Sequence, residues 1–446
     1  MNGNYKINEI RKIAIEIFNN DQRIVKDYEK KRGNPFFLQM NGCIIKDTKI
    51  GEVRVKGGSV MQRIYLDNGS TSFPKAPGVG QAMADFIERV GINIARGGYT
   101  EAYSAMEVVL DTRERLCRLF NAPKAENVVL NAGITASLNV LLKGFLRPGD
   151  HVLTTTMEHN AVMRPLVQLE EDGVLLERIP CNSDGSLCLD KLEGMFRPNT
   201  KAVVMLHASN VCGTLMPAKE VGELCNKHGV RFILDTAQSA GIFPVDFTAW
   251  NIDALAFAGH KGLLGPQGIG GFIIKDDFVP HVRPLLAGGT GSASHQEVMP
   301  NFMPDRFEAG TANLPGIFGL HASLGYLEQV GIDAIRQIEM EHAAQLLEGF
   351  GQIPGIRVVG KPGLDGRTAV VSVDFLHRDN AEAAFELEDR WGIMTRCGLH
   401  CAPSAHKTLG TYPQGTVRFV PGHKTQKEEI SRAVEAVAAL AGEILE

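Results

Sequence analysis

The glycine-rich stretch AFAGHKGLLGPQGIGG places His260 and Lys261 directly after an apolar run. A lysine at a strand end is ordinarily a solvated turn residue, but Gly259, Gly262 and Gly265 let the backbone come close to a bound molecule. The phosphate-loop pattern G-x-x-x-x-G-K-[ST] is absent, so these glycines do not define a nucleotide site. RFILDTAQSAG sets Asp235 and Gln238 at the end of a second apolar run. An acid there either caps the next helix or keeps a proton on a heteroaromatic nitrogen. TTTMEHNAV places His159 after a third run, as a capping or core imidazole or as a ring-stacking group and proton carrier. VVLNAGITASLNVLLKGF runs from a strand through Gly133, Ile134 and Thr135 into a helix. The free N–H groups and dipole of such a helix start suit a phosphate, although an ordinary threonine cap has the same sequence. HASNVCGT adds Asn210, which in isolation reads as a turn residue.

Taken one at a time, each of these residues is explained better by its structural role. Taken together they meet the needs of pyridoxal-5′-phosphate (PLP) chemistry. Those needs are a lysine to hold the cofactor as a Schiff base, an acid facing the pyridine nitrogen, a ring-stacking group, phosphate donors and a substrate anchor. Asp235 beside the pyridine nitrogen would keep the ring able to accept electrons, and Gln238 would bond its phenolate oxygen.

In an open α/β sheet, residues with these tasks lie where strands end, and the surrounding elements fit. From Tyr65 onward, apolar runs alternate with amphipathic helices: VLTTTMEH, AVVMLHASN, VRFILDTAQ, DALAFAGH and IGGFIIK read as strands, and AVMRPLVQLEEDG and AKEVGELCNKHG as helices. That alternation predicts a largely parallel sheet covered on both faces, an α/β class. Beyond about residue 320 the texture is α+β, with helices GLHASLGYLEQVG, AIRQIEMEHAAQLLEGF and KEEISRAVEAVAALAGEILE around the strand AVVSVDF. The reading is a large cofactor-binding domain over residues 75–320 and a smaller domain built from 61–74 and 321–446. Residues 1–60, rich in Lys, Asn and Ile, form an appendage, with Ile10, Ile13 and Ile17 at helical spacing.

Composition narrows the class further. The 446 residues are 44% hydrophobic and 22% charged, enough for a sizeable core and against global disorder. A net charge of −5 gives no polyanion-binding signature, so nucleic acid is an unlikely partner. No apolar run is long enough to span a bilayer, and the N-terminus MNGNYKINEIRK lacks the features of a signal peptide, so a soluble cytoplasmic protein is expected. The eight cysteines are too dilute for a disulfide scaffold.

In their order, YLDNGSTSFPK, GITAS, MEHN, HASNVCGT, LDTAQ, GHKGLLGPQGIG, RFEAGTAN and RCGLHCAP resemble one family over roughly residues 61–440. It is the cysteine desulfurases and selenocysteine lyases of the class V aminotransferase group. The resemblance implies the fold type I of PLP-dependent transferases, with a mostly parallel seven-stranded sheet and a homodimer. It implies Lys261 as the Schiff-base lysine, Asp235 at the pyridine nitrogen and His159 stacked on the ring. Gln238 and Asn210 would contact the ring oxygen and the substrate side. Gly133, Thr135 and His260 would bind the phosphate, and Thr311 the phosphate of the neighbouring subunit. Arg418 matches the arginine that forks onto the substrate carboxylate, and Arg396 a second arginine near the nucleophile loop. Cys401 aligns with the nucleophile. Arg396 and His400 beside it would favour thiolate. This chain departs from the pattern at Leu399, where the family has histidine, at the extra Cys397, and at Ile134 and Ala136 in the phosphate element.

The implied activity is conversion of L-cysteine to L-alanine, with sulfur carried as a persulfide on Cys401. Selenocysteine lyase or another class V β-lyase is the near alternative. A metal or sulfur-binding module built on Cys397, His400, Cys401 and His406 is the rival from another class; its spacing is a weak metal signal. The sulfur acceptor stays open among an iron–sulfur scaffold, a tRNA-thiolation enzyme and a selenium-pathway protein.

Overall fold

The computed structural model describes residues 53–54, 60–61, 63–94 and 97–443. The helix expected around Ile10, Ile13 and Ile17, and nearly all of the expected appendage, lie outside these. Seven strands form the main sheet: β1 (Val128–Asn131), β2 (His151–Thr155), β3 (Leu175–Ile179), β4 (Thr200–Leu206), β5 (Arg231–Asp235), β6 (Ala254–Ala258) and β7 (Gly270–Ile274). Their order is β1-β7-β6-β5-β4-β2-β3. Strands β2 to β6 pair parallel, and β7 runs antiparallel between β6 and β1. Every residue of β2, β6 and β7 is buried, as continuous apolar runs in a sheet covered on both faces must be. Edge strand β3 is partly exposed, and its mixed pattern LLERI hid it from the apolar-run reading.

Helices close both faces. Among them are α1 (Thr100–Phe120), α2 (Ile134–Phe145), α3 (Asn160–Glu171) and α4 (Ala218–His228), followed by α5 (Leu314–Val330). Helix α1 buries Ala102, Ala105, Val109, Leu116 and Phe120, a stripe at helical spacing. The remaining chain builds a four-stranded antiparallel sheet in the order β8-β9-β11-β10, from β8 (Ile356–Val359), β9 (Val371–Phe375), β10 (Arg396–Gly398) and β11 (Thr416–Phe419). Its apolar face packs on α6 (Ile332–Gly351), α7 (Asn380–Trp391) and α8 (Lys427–Gly442) through Leu346, Phe350, Leu387, Ile430 and Val437. Ile64 and Leu66 join this same core, and Ile64–Tyr65 pairs with Ile393–Met394. Among the described residues no helix is long and apolar enough to cross a membrane.

The turns after β5 and β6 touch backbone to backbone. A Cβ on Gly262 would stand 2.4 Å from the carbonyl oxygen of Ala240, and one on Gly241 would stand 2.4 Å from that of Gly262. The approach fixes the turn bearing Lys261 against the turn bearing Gln238. Gly262→Ala is therefore expected to destabilise the fold by roughly 1–3 kcal/mol, the usual cost of overpacking. A lowered denaturant midpoint, together with reduced PLP content, is the measurement that checks it.

Candidate active site

Five strand ends deliver the expected residues to one edge of the main sheet. Strand β6 ends at Ala258, and a tight turn follows in which Leu264 N–H donates to the Lys261 carbonyl at 2.8 Å. The preceding carbonyl, of His260, gathers donors from the segment after Tyr65: Ser72 N–H at 3.0 Å, Thr71 Oγ1 at 3.1 Å and Lys75 Nζ at 2.8 Å. That segment is thereby bound to the Lys261 turn. The Lys261 side chain faces a narrow cleft and keeps some accessible surface, yet its amine is surrounded by protein. Burial lowers its pKa to about 8; Asp235 opposes the fall, while Arg418 and Arg396 add to it.

Asp235 closes β5. Its Oδ1 accepts from Ala237 N–H at 2.8 Å; no helix lies between β5 and β6, so the helix cap expected of it is instead a local turn bond that uses one carboxylate oxygen. Burial raises its pKa, and the Ala237 N–H and Lys261 pull it back. His159 also does what a capping histidine would: it precedes α3, and Nδ1 accepts from Ala161 N–H at 2.9 Å. With Nδ1 an acceptor, the ring proton of neutral His159 sits on Nε2. Burial, then the nearby charges of Lys261, Arg396 and Arg418, lower its pKa to about 4. Gln238 Nε2 donates to the Gly69 carbonyl at 3.0 Å. Helix α2 starts at Gly133 with no side-chain cap. Thr135 is exposed in its first turn, and Thr311 is exposed on the loop leading to α5.

Arg418 lies in β11 and is 2% exposed. Its Nη1 donates to the Asn210 carbonyl at 2.8 Å; its Nη2 donates to Asp67 Oδ1 and Ser70 Oγ, both at 2.9 Å. Ser70 Oγ also accepts from Arg396 Nη1 at 2.6 Å. Asp67, Ser70 and Lys75 were not singled out from the sequence, although YLDNGSTSFPK carried the signal.

The loop bearing Cys401 is pinned to the main sheet. Asn210 Nδ2 donates to the His400 carbonyl at 2.7 Å, and Asn160 N–H donates to the Cys401 carbonyl at 2.7 Å. Cys401 is exposed. One expectation is corrected here. His400 is buried, and burial followed by the charge of Arg418 holds its pKa well below the usual histidine range, so it lends Cys401 no positive charge. Cys397 is partly buried, and burial pushes its thiol up to about 11. His400 and His406 turn ring nitrogens to Thr416 and Thr411. Among the described residues no cluster of three His, Cys, Asp or Glu could hold a metal.

A crevice of about 570 Å³, counting its open mouth, adjoins Lys261 and Gln238 and is lined by Asn68, Gly69, Thr368 and His423. Asp235, His159 and Arg418 do not line it.

PLP fits these residues. Asn210 Oδ1, His260 Nδ1 and Arg418 Nε are buried without a partner. Buried polar atoms are rarely left unpaired, and these three come from three elements that converge beside a desolvated lysine and a buried acid. The fold and the site thus define a PLP enzyme of fold type I. The chain belongs to the class-V aminotransferase family, a PLP-dependent family whose model matches residues 64–433. It is 31% identical over 384 residues to a probable cysteine desulfurase of Methanothermobacter thermautotrophicus, across 85% of this chain and 95% of the relative. It is 32% identical to another probable cysteine desulfurase, of Halobacterium salinarum, across 88% and 94%. The apo structure of the cysteine desulfurase of Thermococcus onnurineus superposes with a TM-score of 0.80 at 30% identity, covering 85% of this chain and 94% of that one. The cysteine desulfurase CsdA of Escherichia coli gives 0.76 at 27% identity, covering 84% and 94%.

The lowered Lys261 pKa has a readable consequence in the apoprotein. Only the neutral amine attacks the cofactor aldehyde, and the neutral form dominates above about pH 8. Reconstitution with PLP, followed by its long-wavelength absorbance, should accelerate as pH rises to about 8 and then level off. A rate still climbing toward pH 10 would indicate an ordinary lysine.

Proposed function

We propose that this protein is a cysteine desulfurase that moves sulfur from L-cysteine to Cys401 and releases L-alanine. The observation that carries the reading is the pinning of the exposed Cys401 loop to Asn210 and Asn160, which follow the neighbouring strands β4 and β2 at the sheet edge where Asp235 and Lys261 also lie. Bound PLP supplies an electron sink that makes the substrate Cα–H acidic. Lys261 would hold the cofactor through its amine, and the free amine is suited to take the substrate Cα proton. Asp235 would meet the pyridine nitrogen, since one of its oxygens is not used by Ala237. His159 would stack on the ring, while Gly133, Thr135 and His260 would receive the phosphate. Gln238 and Asn210 meet the ring oxygen and the substrate side. Arg418, with Arg396 near it, receives the substrate carboxylate as a planar fork.

Cys401 Sγ then attacks the substrate sulfur. An S–S bond forms and the Cβ–S bond breaks, with its electron pair going to Cβ, which is protonated. The products are a Cys401 persulfide and alanine, so atoms and electrons balance. A thiol acceptor outside the chain removes the sulfur.

The working unit we infer is a homodimer in the cytoplasm. Leu286 is 67% and Val298 71% exposed, and both stand on the stretch that leads to Thr311, the residue proposed to reach the partner's phosphate. Residues 75–320 act as the cofactor lobe and 61–74 with 321–446 as the smaller lobe.

Cys401→Ala should keep the PLP absorbance and lose cysteine desulfuration by about 100-fold or more, while some selenocysteine cleavage persists because selenolate leaves more readily. Cys397→Ala should keep most activity. Mass spectrometry after brief cysteine exposure should find the added sulfur on the Cys401 peptide; full cysteine turnover in Cys401→Ala would point to a β-lyase. Arg418→Lys keeps the charge but loses the fork, and its KM for cysteine should rise by about tenfold or more. An unmoved KM would place the carboxylate elsewhere.

A further inference from the structure

Glu158 immediately precedes His159 and is fully buried, yet nothing in the proposed chemistry uses it. It stands where β2 gives way to α3. Strand β2 keeps its pairing with β4 as far as Thr154 opposite Val204, and the chain then turns away from the sheet. The N–H of Leu206, the last residue of β4, has no β2 backbone opposite it, and the Glu158 carboxyl takes the place of the strand. Leu206 N–H donates to Oε1 and Oε2, both at 3.1 Å, and Oε1 lies 2.6 Å from Oγ1 of Thr155, the last residue of β2. One side chain thus ties two strand ends to the junction that carries His159 and Asn160. Strand β4 extends the tie on its other side: Leu206 is in register with Asp235, and His207 N–H donates to the Asp235 carbonyl at 2.8 Å. Burial raises the Glu158 pKa to about 8; the bonds from Thr155 and Leu206 oppose the rise, and the charge of Asp235 adds to it. At neutral pH the carboxyl therefore keeps its proton, and an amide of the same shape can stand in for it.

We propose that Glu158 is a positioning residue: by clamping the end of β2 to the end of β4, it fixes the direction in which His159 enters the cofactor site. The inference rests on the reading of His159 as the ring-stacking group. The bond from Ala161 N–H to His159 Nδ1 orients the imidazole only relative to the start of α3. Glu158 orients that start relative to the sheet from which Asp235 and Lys261 extend. A group that meets a cofactor has to be held by supporting residues of this kind. Removing the carboxyl also leaves a buried backbone N–H without its acceptor.

The test compares Glu158→Gln and Glu158→Ala as holoproteins saturated with PLP, their fold checked by far-ultraviolet circular dichroism. The readout is the visible circular dichroism of the bound cofactor, which reports the asymmetric packing around its ring and needs no turnover. Glu158→Gln keeps an uncharged side chain of the same shape, and its band should stay within about a fifth of wild type. Glu158→Ala should lose about half of the band or more, and its PLP dissociation constant should rise about fivefold or more. A wild-type band in folded, saturated Glu158→Ala overturns the proposal, and so does an equal loss in Glu158→Gln. Should Glu158→Ala not fold, Thr155→Val, which removes one anchor and keeps the shape, should lower the band by about a quarter or more; an unmoved band overturns the proposal. His159→Ala separates this inference from the reading beneath it. A wild-type band in His159→Ala removes the stacking reading and this inference with it. A reduced band there, with a wild-type band in Glu158→Ala, overturns the inference alone.

Discussion

The charge of Arg418 is the constraint around which the site is assembled. A guanidinium that is 2% exposed costs several kcal/mol unless its donors are satisfied. Its partners come from two stretches distant in sequence from β11: the Asn210 carbonyl after β4, and Asp67 and Ser70 in the segment preceding α1. Satisfying one buried cation therefore docks the small sheet, the main sheet and the segment after Tyr65 onto each other. The Asn210 backbone that serves Arg418 also positions the Asn210 amide, which holds the nucleophile loop through the His400 carbonyl. Arg418 and the loop bearing Cys401 thus share Asn210 as a common support.

Desolvation then sets the charge state of the cleft. His159 and His260 are each pushed to about 4, by burial first and by neighbouring cations second. Neutral rings can lie against a heteroaromatic cofactor and donate one defined hydrogen bond without adding to the positive charge of Arg418 and Arg396. Lys261 is lowered to about 8 by the same burial, opposed by Asp235, so its amine is reactive near neutral pH. The buried Asp235 loses solvation too, which raises its pKa against the pull of the Ala237 N–H and Lys261. One low-dielectric cleft moves the base down and the acid up, each toward its task.

Much of this arrangement was legible in the sequence because its chemistry sits where strands end. VRFILDTAQ and DALAFAGH announce buried parallel strands by their unbroken apolar runs, and Asp235, His260 and Lys261 follow immediately. Strand β3 and the short strands β8 and β10 were harder to read, since an edge strand of three to five residues has no long apolar run to mark it, and the buried strand β11 has Arg418 interrupting its four residues. His159 and Asp235 each use one side-chain atom to hold a neighbouring backbone N–H, which leaves a second polar atom of each outside that bond and so does not conflict with the proposed cofactor roles. Asp67 and Ser70 escaped notice because their importance is not local. It arises only when the chain brings them against arginines more than 300 residues away.

The nucleophile loop is the place where local preference yields to the rest of the structure. His400 and Cys401 adopt φ of 47° and 58°, consecutive left-handed residues that carry a Cβ. Each such residue costs roughly 1–3 kcal/mol and persists only where its surroundings dictate it. Three hydrogen bonds supply that dictation: Asn210 to the His400 carbonyl, Asn160 N–H to the Cys401 carbonyl, and Ala402 N–H to the Leu399 carbonyl. The Asn160 bond has a second effect. It meets one of the N–H groups that the first turn of α3 leaves without an intrahelical partner, so the loop and the helix that follows His159 complete each other. A loop held by backbone carbonyls leaves the Cys401 side chain free of packing duties and exposed. That combination suits the sulfur-carrying role proposed for Cys401, in which one thiol would meet both a substrate and an external acceptor. Glycine at either position would relieve the strain and widen the range of conformations, and the loop would then lose the backbone restraint that keeps the thiol at the mouth of the cleft.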